Sequence, residues 1–305
     1  MLSAGKPLLI AFALGAVGTV VGVVGGLAVV GTDVIGDKAH ALAGMFAATY
    51  TGGSANFNAI ALHYDIVRDG TLYAGSVAVD AGLTAVWMVV TIALPRWMTR
   101  GRPRETPPTD TAEDTEVARS GYVDPDEERA APLDLAILVG LGLVVLWASH
   151  AAAAALADAG MPVPMMLLLT AFALGLGQVP AVAALRGTNL LGMFAVYVFL
   201  AVIGAFCDFA ALASLGRLGV ELSIFASVLL VLHGVVVFGG CRLLRLHPDL
   251  AAIASQANIG GGTTALAIAR SLGRPELVLP AILVGSLGTA GGTFIGFAVA
   301  RFLAP

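Results

Sequence analysis

The chain has 305 residues, 58% hydrophobic and 12% charged, with 38 glycines and a net charge of −4. Ordinary soluble domains carry about 25% charged residues, and disordered chains combine low hydrophobicity with high charge, so both classes are excluded. What remains is an all-α, polytopic transmembrane helical bundle, because the apolar runs are long and continuous rather than short and alternating as in an outer-membrane barrel.

A spanning helix needs about 20 predominantly apolar residues. In chain order such runs occupy 8–30, 72–95, 133–157, 163–184, 189–213, 221–244 and 277–301. The first follows Lys6 and is too long and glycine-rich for a signal peptide, so it is expected as a retained helix. Two more apolar segments, 40–65 and 249–272, are each interrupted by a glycine cluster.

Between 96 and 132 the character changes. Residues 101–131 carry four arginines against nine acids, a balance of −5, among several prolines. This stretch reads as an acidic linker between a first membrane repeat, 1–95, and a second, 133–305. Arg96, Arg100, Arg102 and Arg104 follow the helix at 72–95 closely, which puts the linker on the cytoplasmic side of a plasma (inner) membrane. The remainder of the chain sums to +1, so no nucleic-acid partner is expected. Cys207 and Cys241 sit in apolar runs and read as small core residues.

The two interrupted segments resemble each other. Aligning Gly52 with Gly260 also aligns Gly53 with Gly261, Ala59 with Ala267, Ile60 with Ile268 and Ala61 with Ala269. Irregular backbone at membrane depth is tolerated only inside protein or beside a watery cavity. Broken helices expose N–H ends that attract anions and C=O ends that attract cations. Paired interruptions in two halves are therefore the best sequence pointer to a transporter site. The bland alternative is tight helix packing through glycine. If each segment crosses once, both run in the same direction. If each folds back as a re-entrant hairpin, they enter from opposite faces. The sequence leaves both open.

The candidate solute- and ion-binding residues are Thr51, Gly52, Gly53, Ser54 and Asn56 at the first break. At the second they are Asn258, Gly260, Gly261, Gly262, Thr263 and Thr264. Asp80, in the middle of the helix at 72–95, is expensive in a bilayer unless it meets a cavity, a cation or a donor. A Na⁺ near Asp80 and Asn56 is the ion position these residues would allow. Asp208 and Gln178 are weaker candidates, and His150 and His233 read as packed helix contacts. No metal-ligand motif, cofactor motif or catalytic nucleophile pattern occurs, so no cofactor and no enzyme activity are expected.

The segments Tyr50-Thr51-Gly52-Gly53-Ser54-Ala55-Asn56-Phe57 and Gly285-Ser286-Leu287-Gly288-Thr289-Ala290, the latter preceded by Leu279-Pro280-Ala281-Ile282-Leu283-Val284, resemble a membrane family called domain of unknown function 819 (YjcL-like proteins). The resemblance covers nearly the whole chain. It implies membership of the cation/proton antiporter and anion-transporter superfamily, inverted repeats and secondary transport, without a substrate. Relative to that family the first repeat reads as N-terminally short. The resulting expectation is a secondary transporter of a small solute, an organic anion, coupled to Na⁺ or H⁺. Its partners would be that solute, a coupling cation, the lipid bilayer and a second copy in a homodimer. The alternatives are a cation/proton antiporter and a non-transporting membrane sensor or assembly subunit.

Overall fold

A computed structural model describes residues 2–31, 36–99, 130–161, 163–188 and 216–304, with a few positions between 190 and 198. All regular structure among these residues is helical. Most of the linker, most of the run 189–213, Cys207 and Asp208 lie outside the described residues. The chain packs as two units, one of Met1–Ser120 with Asp208–Pro305 and one of Gly121–Cys207.

The second unit holds α5 (Pro132–Asp158), α6 (Met165–Gly177) and α7 (Pro180–Ala183). The single span expected over 163–184 is thus a 13-residue helix followed by a four-residue one. Pro180 offers no N–H and pushes the preceding Val179 to an extended conformation, φ −77° and ψ 118°, which ends the helix. Gln178 is exposed in that turn, as is His150 on α5.

The first unit holds α1 (Leu2–Val30), α2 (Ala39–Gly52), α3 (Ser54–His63), α4 (Gly70–Met98), α8 (Gly216–Leu243), α9 (Pro248–Ile259), α10 (Gly261–Ser271) and α11 (Val278–Phe302). Counting α5, five described helices are long and apolar enough to cross a membrane: α1, α4, α5, α8 and α11. The order long helix, broken pair, long helix therefore occurs twice, as α1–α2/α3–α4 and α8–α9/α10–α11.

Both broken pairs fold back on themselves. His40 at the start of α2 stacks edge-on against Tyr64 just after α3, with ring centroids 5.2 Å apart. Phe46 and Phe57 meet the same way at 5.8 Å, and Lys38 pairs with Asp69 at 3.3 Å. A straight pair would hold residues 40 and 64 more than about 30 Å apart at 1.5 Å per residue. In the second pair, Arg274 after α10 reaches Asp249 at the start of α9, Nη1 to Oδ2, at 2.8 Å. The arms have 14, 10, 12 and 11 residues, roughly 15–21 Å each, or about half of a bilayer core. The broken segments are therefore hairpins, and the single-crossing alternative is set aside.

Helix α11 shows how the hairpins are opposed. Gly262 at the tip of the second hairpin lies against Ile282 and Gly285. The first hairpin continues along the same helix, with Thr51 at Gly288, Ala48 at Gly292 and Gly44 at Gly296. Its base ends with His63 against Phe297, centroids 4.8 Å apart. The tips thus meet beside residues 285–288, and the bases lie toward opposite ends of α11. Glycine makes this contact possible, since a methyl group added at Gly288 would sit 2.6 Å from the Thr51 carbonyl oxygen. Helices α1 and α8 use the same device, where a methyl at Gly22 would sit 2.6 Å from the Leu229 carbonyl oxygen.

Candidate functional site

The helix breaks have a local cause. Tyr50 already leaves helical geometry, with φ −86° and ψ 15°, and Gly53 then takes φ +90° and ψ 174°, which a side chain would disfavour. The second break puts Gly261 at φ +81°. The two breaks touch: a Cβ built on Gly53 would lie 3.9 Å from the Gly260 carbonyl oxygen. Because the hairpins are opposed, α3 and α10 begin at nearly the same place and run apart. Neither N-terminus is capped by a side chain. Two helix ends with partial positive charge thus meet head to head.

The predicted residues divide into three groups. Ser54 and Thr263 are exposed at the tips. Thr51 and Thr264 are engaged with the broken backbone: Thr51 donates to the Ala47 carbonyl at 2.8 Å, and Thr264 donates to the carbonyls of Gly261 at 3.0 Å and Gln256 at 3.3 Å. Asn56 is turned toward α11, where its Oδ1 accepts from Thr293 at 2.5 Å and its amide packs against Gly292. The Gly52 carbonyl accepts from Thr289 at 3.2 Å. Asn258 points to α1, donating from Nδ2 to the Phe12 carbonyl at 3.1 Å, while its Oδ1 has no hydrogen-bond partner.

Asp80 belongs to a polar stripe along α4: Tyr73, Ser76, Asp80, Thr84, Trp87 and Thr91, spaced three or four residues apart and so on one face. The ends of the stripe hold the hairpins. Tyr73 donates to Asn58 Oδ1 at 2.6 Å, on the first hairpin. Trp87 donates to Ser255 Oγ at 2.9 Å and Thr91 to Gln256 Oε1 at 3.3 Å, both on the second. The middle is different. The Tyr50 hydroxyl neighbours Asp80 and Thr84, yet meets neither at hydrogen-bonding geometry. Tyr50 Oη, Ser76 Oγ and Asp80 Oδ1 are sealed from solvent without partners. Each buried group left unmet costs about 1–3 kcal/mol.

A second polar chain ties the hairpins together. Thr19 on α1 donates to the Tyr50 carbonyl at 2.6 Å, so its hydroxyl can only accept from His233 Nδ1 at 3.0 Å. The neutral ring then carries its hydrogen on Nδ1, and Nε2 accepts from Ser255 at 2.9 Å. Ser255 in turn accepts from Trp87. All members of this chain are buried. His233, read from the sequence as a packed contact, is a bridge between hairpins. The sequence reading does not single out Tyr50 and Ser76. The signal that finds Ser76 is the three-or-four spacing of polar residues in an otherwise apolar helix.

Two surface hollows lie elsewhere, one lined by Val89, Ile92, Ala93, Arg96 and Trp97 on α4, the other along α8 from Gly216 to Val228. Both are mostly apolar and neither touches the breaks.

The family described as "Protein of unknown function (DUF819)" matches residues 1–305. The chain belongs to the DUF819 family. This DUF819 chain is also similar to the "Uncharacterized membrane protein YjcL" of Bacillus subtilis (strain 168), at 26% identity over 268 residues. That match covers 84% of the chain and 66% of the relative, so it spans just under two thirds of the relative's length. No solved structure matches. Family and helices together make this DUF819 chain a membrane protein with several apolar helices.

Proposed function

We propose that the protein is a secondary transporter of a small organic anion, bound where the two hairpin tips meet. The observation that carries this is the head-to-head meeting of two uncapped helix N-termini at the Gly53 and Gly260–Gly261 breaks. Such an arrangement repels itself in a low-dielectric interior and is relieved by a bound negative charge. The Ser54 and Thr263 hydroxyls, exposed at the same tips, supply donors for a carboxylate. The two hairpins would be the equivalent parts of an inverted repeat, and their movement would expose the site alternately to each side. The protein would sit in the plasma membrane with residues 96–132 in the cytoplasm, perform no covalent chemistry, and couple the solute to a cation that offsets Asp80.

The test is thermal unfolding of the full chain in nanodiscs against succinate, citrate, glutamate and acetate, with and without Na⁺, followed by uptake into proteoliposomes. A ligand at a hundredfold excess over Kd stabilises by about 2.7 kcal/mol. We expect at least one carboxylate to raise the midpoint and be taken up, and Ser54→Ala with Thr263→Val to weaken its binding. A cation response without any carboxylate response favours the cation/proton antiporter instead. Neither response in a folded sample removes the transport reading.

A further inference from the structure

We infer that Asp80, Tyr50 and Ser76, with Thr84 beside them, form a sodium site sealed between the tip of the first hairpin and α4. Its purpose rests on the transport reading, but its existence does not.

Asp80 is the eleventh residue of a 29-residue helix able to cross a bilayer, which sets it near mid-depth. The ion pairs formed by the described residues involve Asp65, Asp69, Glu221, Asp249 and Glu276, and none of them reaches Asp80. An uncompensated carboxylate at that depth costs at least about 2.5–3.5 kcal/mol.

Among the described residues, six buried side-chain atoms lack hydrogen-bond partners: Tyr50 Oη, Asn56 Nδ2, Ser76 Oγ, Asp80 Oδ1, Gln256 Nε2 and Asn258 Oδ1. They are segregated. The two nitrogens belong to side chains held by α11 and α4 respectively, since Asn56 accepts from Thr293 and Gln256 accepts from Thr91. Asn258 is held against α1. The three atoms around Asp80 are all oxygens. Ser76 precedes Asp80 by one helical turn on the same face, Thr84 follows by one, and the Tyr50 hydroxyl closes the space from the hairpin.

A protonated Asp80 has a single hydrogen to donate, so it would engage only one of the Ser76 and Tyr50 oxygens. A hard monovalent cation accepts lone pairs from all of them at once, as oxygen-rich cation sites do. The ion would also neutralise the charge beside Tyr50, two residues before the break. Loading the ion would thereby set the tip that receives the anion.

The test is sodium binding to the full chain in nanodiscs, read by thermal unfolding and by radioactive sodium, with choline replacing Na⁺ at constant ionic strength. We expect a saturable rise of the midpoint with Na⁺ and none with choline. Asp80→Asn and Ser76→Ala should weaken sodium binding by about 10–100-fold, the range seen when support for a bound metal is removed. Tyr50→Phe removes a single oxygen and keeps the packing, so it serves if the Asp80 variant fails to fold. Sodium binding that persists unchanged in Ser76→Ala and Tyr50→Phe overturns the site. So does a midpoint that follows pH and ignores Na⁺. Sodium binding with no carboxylate binding would keep this site and sink the anion reading. Carboxylate binding with no sodium binding would do the reverse.

Discussion

His233 sits fully buried on α8 and contacts two other helices, α1 and α9, through its two ring nitrogens. Its bonds make a one-way chain from Trp87 through Ser255, the ring and Thr19 to the Tyr50 carbonyl. The last member holds the residue at which α2 bends. Replacing His233 by Leu leaves Thr19 without its donor and Ser255 without its acceptor. The expected loss is about 1–3 kcal/mol, measured as a shift in unfolding by denaturant in nanodiscs. Thr19→Val with His233→Leu should cost less than the two single changes together, because both remove the same bond. Additive losses would mean that the residues act separately. From the sequence His233 is a lone histidine in an apolar helix, and nothing in its neighbours along the chain signals its partners. They come from α1 and α9, 214 and 22 residues away in sequence. Tyr50 is hidden for a similar reason. An aromatic residue before a glycine reads as packing until Asp80 is seen beside it.

At the scale of the element, glycine sets where helices can touch. Gly291 and Gly292 are adjacent on α11 but face different surroundings. Nothing lies within 4 Å of a methyl group added at Gly291. At Gly292 the same methyl would lie 2.9 Å from the Ala48 carbonyl oxygen and 3.0 Å from Asn56 Cγ. Gly291→Ala should therefore be neutral or stabilising, by up to about 1 kcal/mol from helix propensity. Gly292→Ala should destabilise by about 1–3 kcal/mol as an overpacked contact, and should loosen the first hairpin. Equal midpoints for the two variants would contradict the placement of this hairpin on α11. The sequence shows the cluster Gly288–Gly296 but not its facing side, because both glycines suit a small-residue interface equally. The same limit explains α6 and α7. The run 163–184 is apolar throughout, and composition alone does not reveal that Pro180 ends one helix and starts another.

At the scale of the whole molecule, the two glycine breaks were legible because both carry polar residues and matching flanks. Whether they were hairpins was not, since that depends on contacts such as His40 with Tyr64, which no spacing rule encodes. The hairpins now fix a prediction about sidedness. The first opens at the Lys38–Asp69 pair and the second at the Asp249–Arg274 pair, toward opposite ends of α11. Arg96, at the end of α4, donates to the Ser271 carbonyl at 3.0 Å, which places the α4 C-terminus on the side of the second hairpin's base. Arg242, Arg245, Arg270 and Arg274 flank that base in the sequence. The positive-inside rule then assigns this side to the cytoplasm and the first hairpin's base to the exterior. Arg68 and Glu276 are exposed beside the two bases, at 83% and 51% of the side chain. With Cys207 and Cys241 replaced by Ser, Arg68→Cys should react with a membrane-impermeant maleimide on intact cells. Glu276→Cys should react only after permeabilisation. Labelling of both from one side would rule out opposed hairpins and, with them, a site formed by two tips meeting within the membrane.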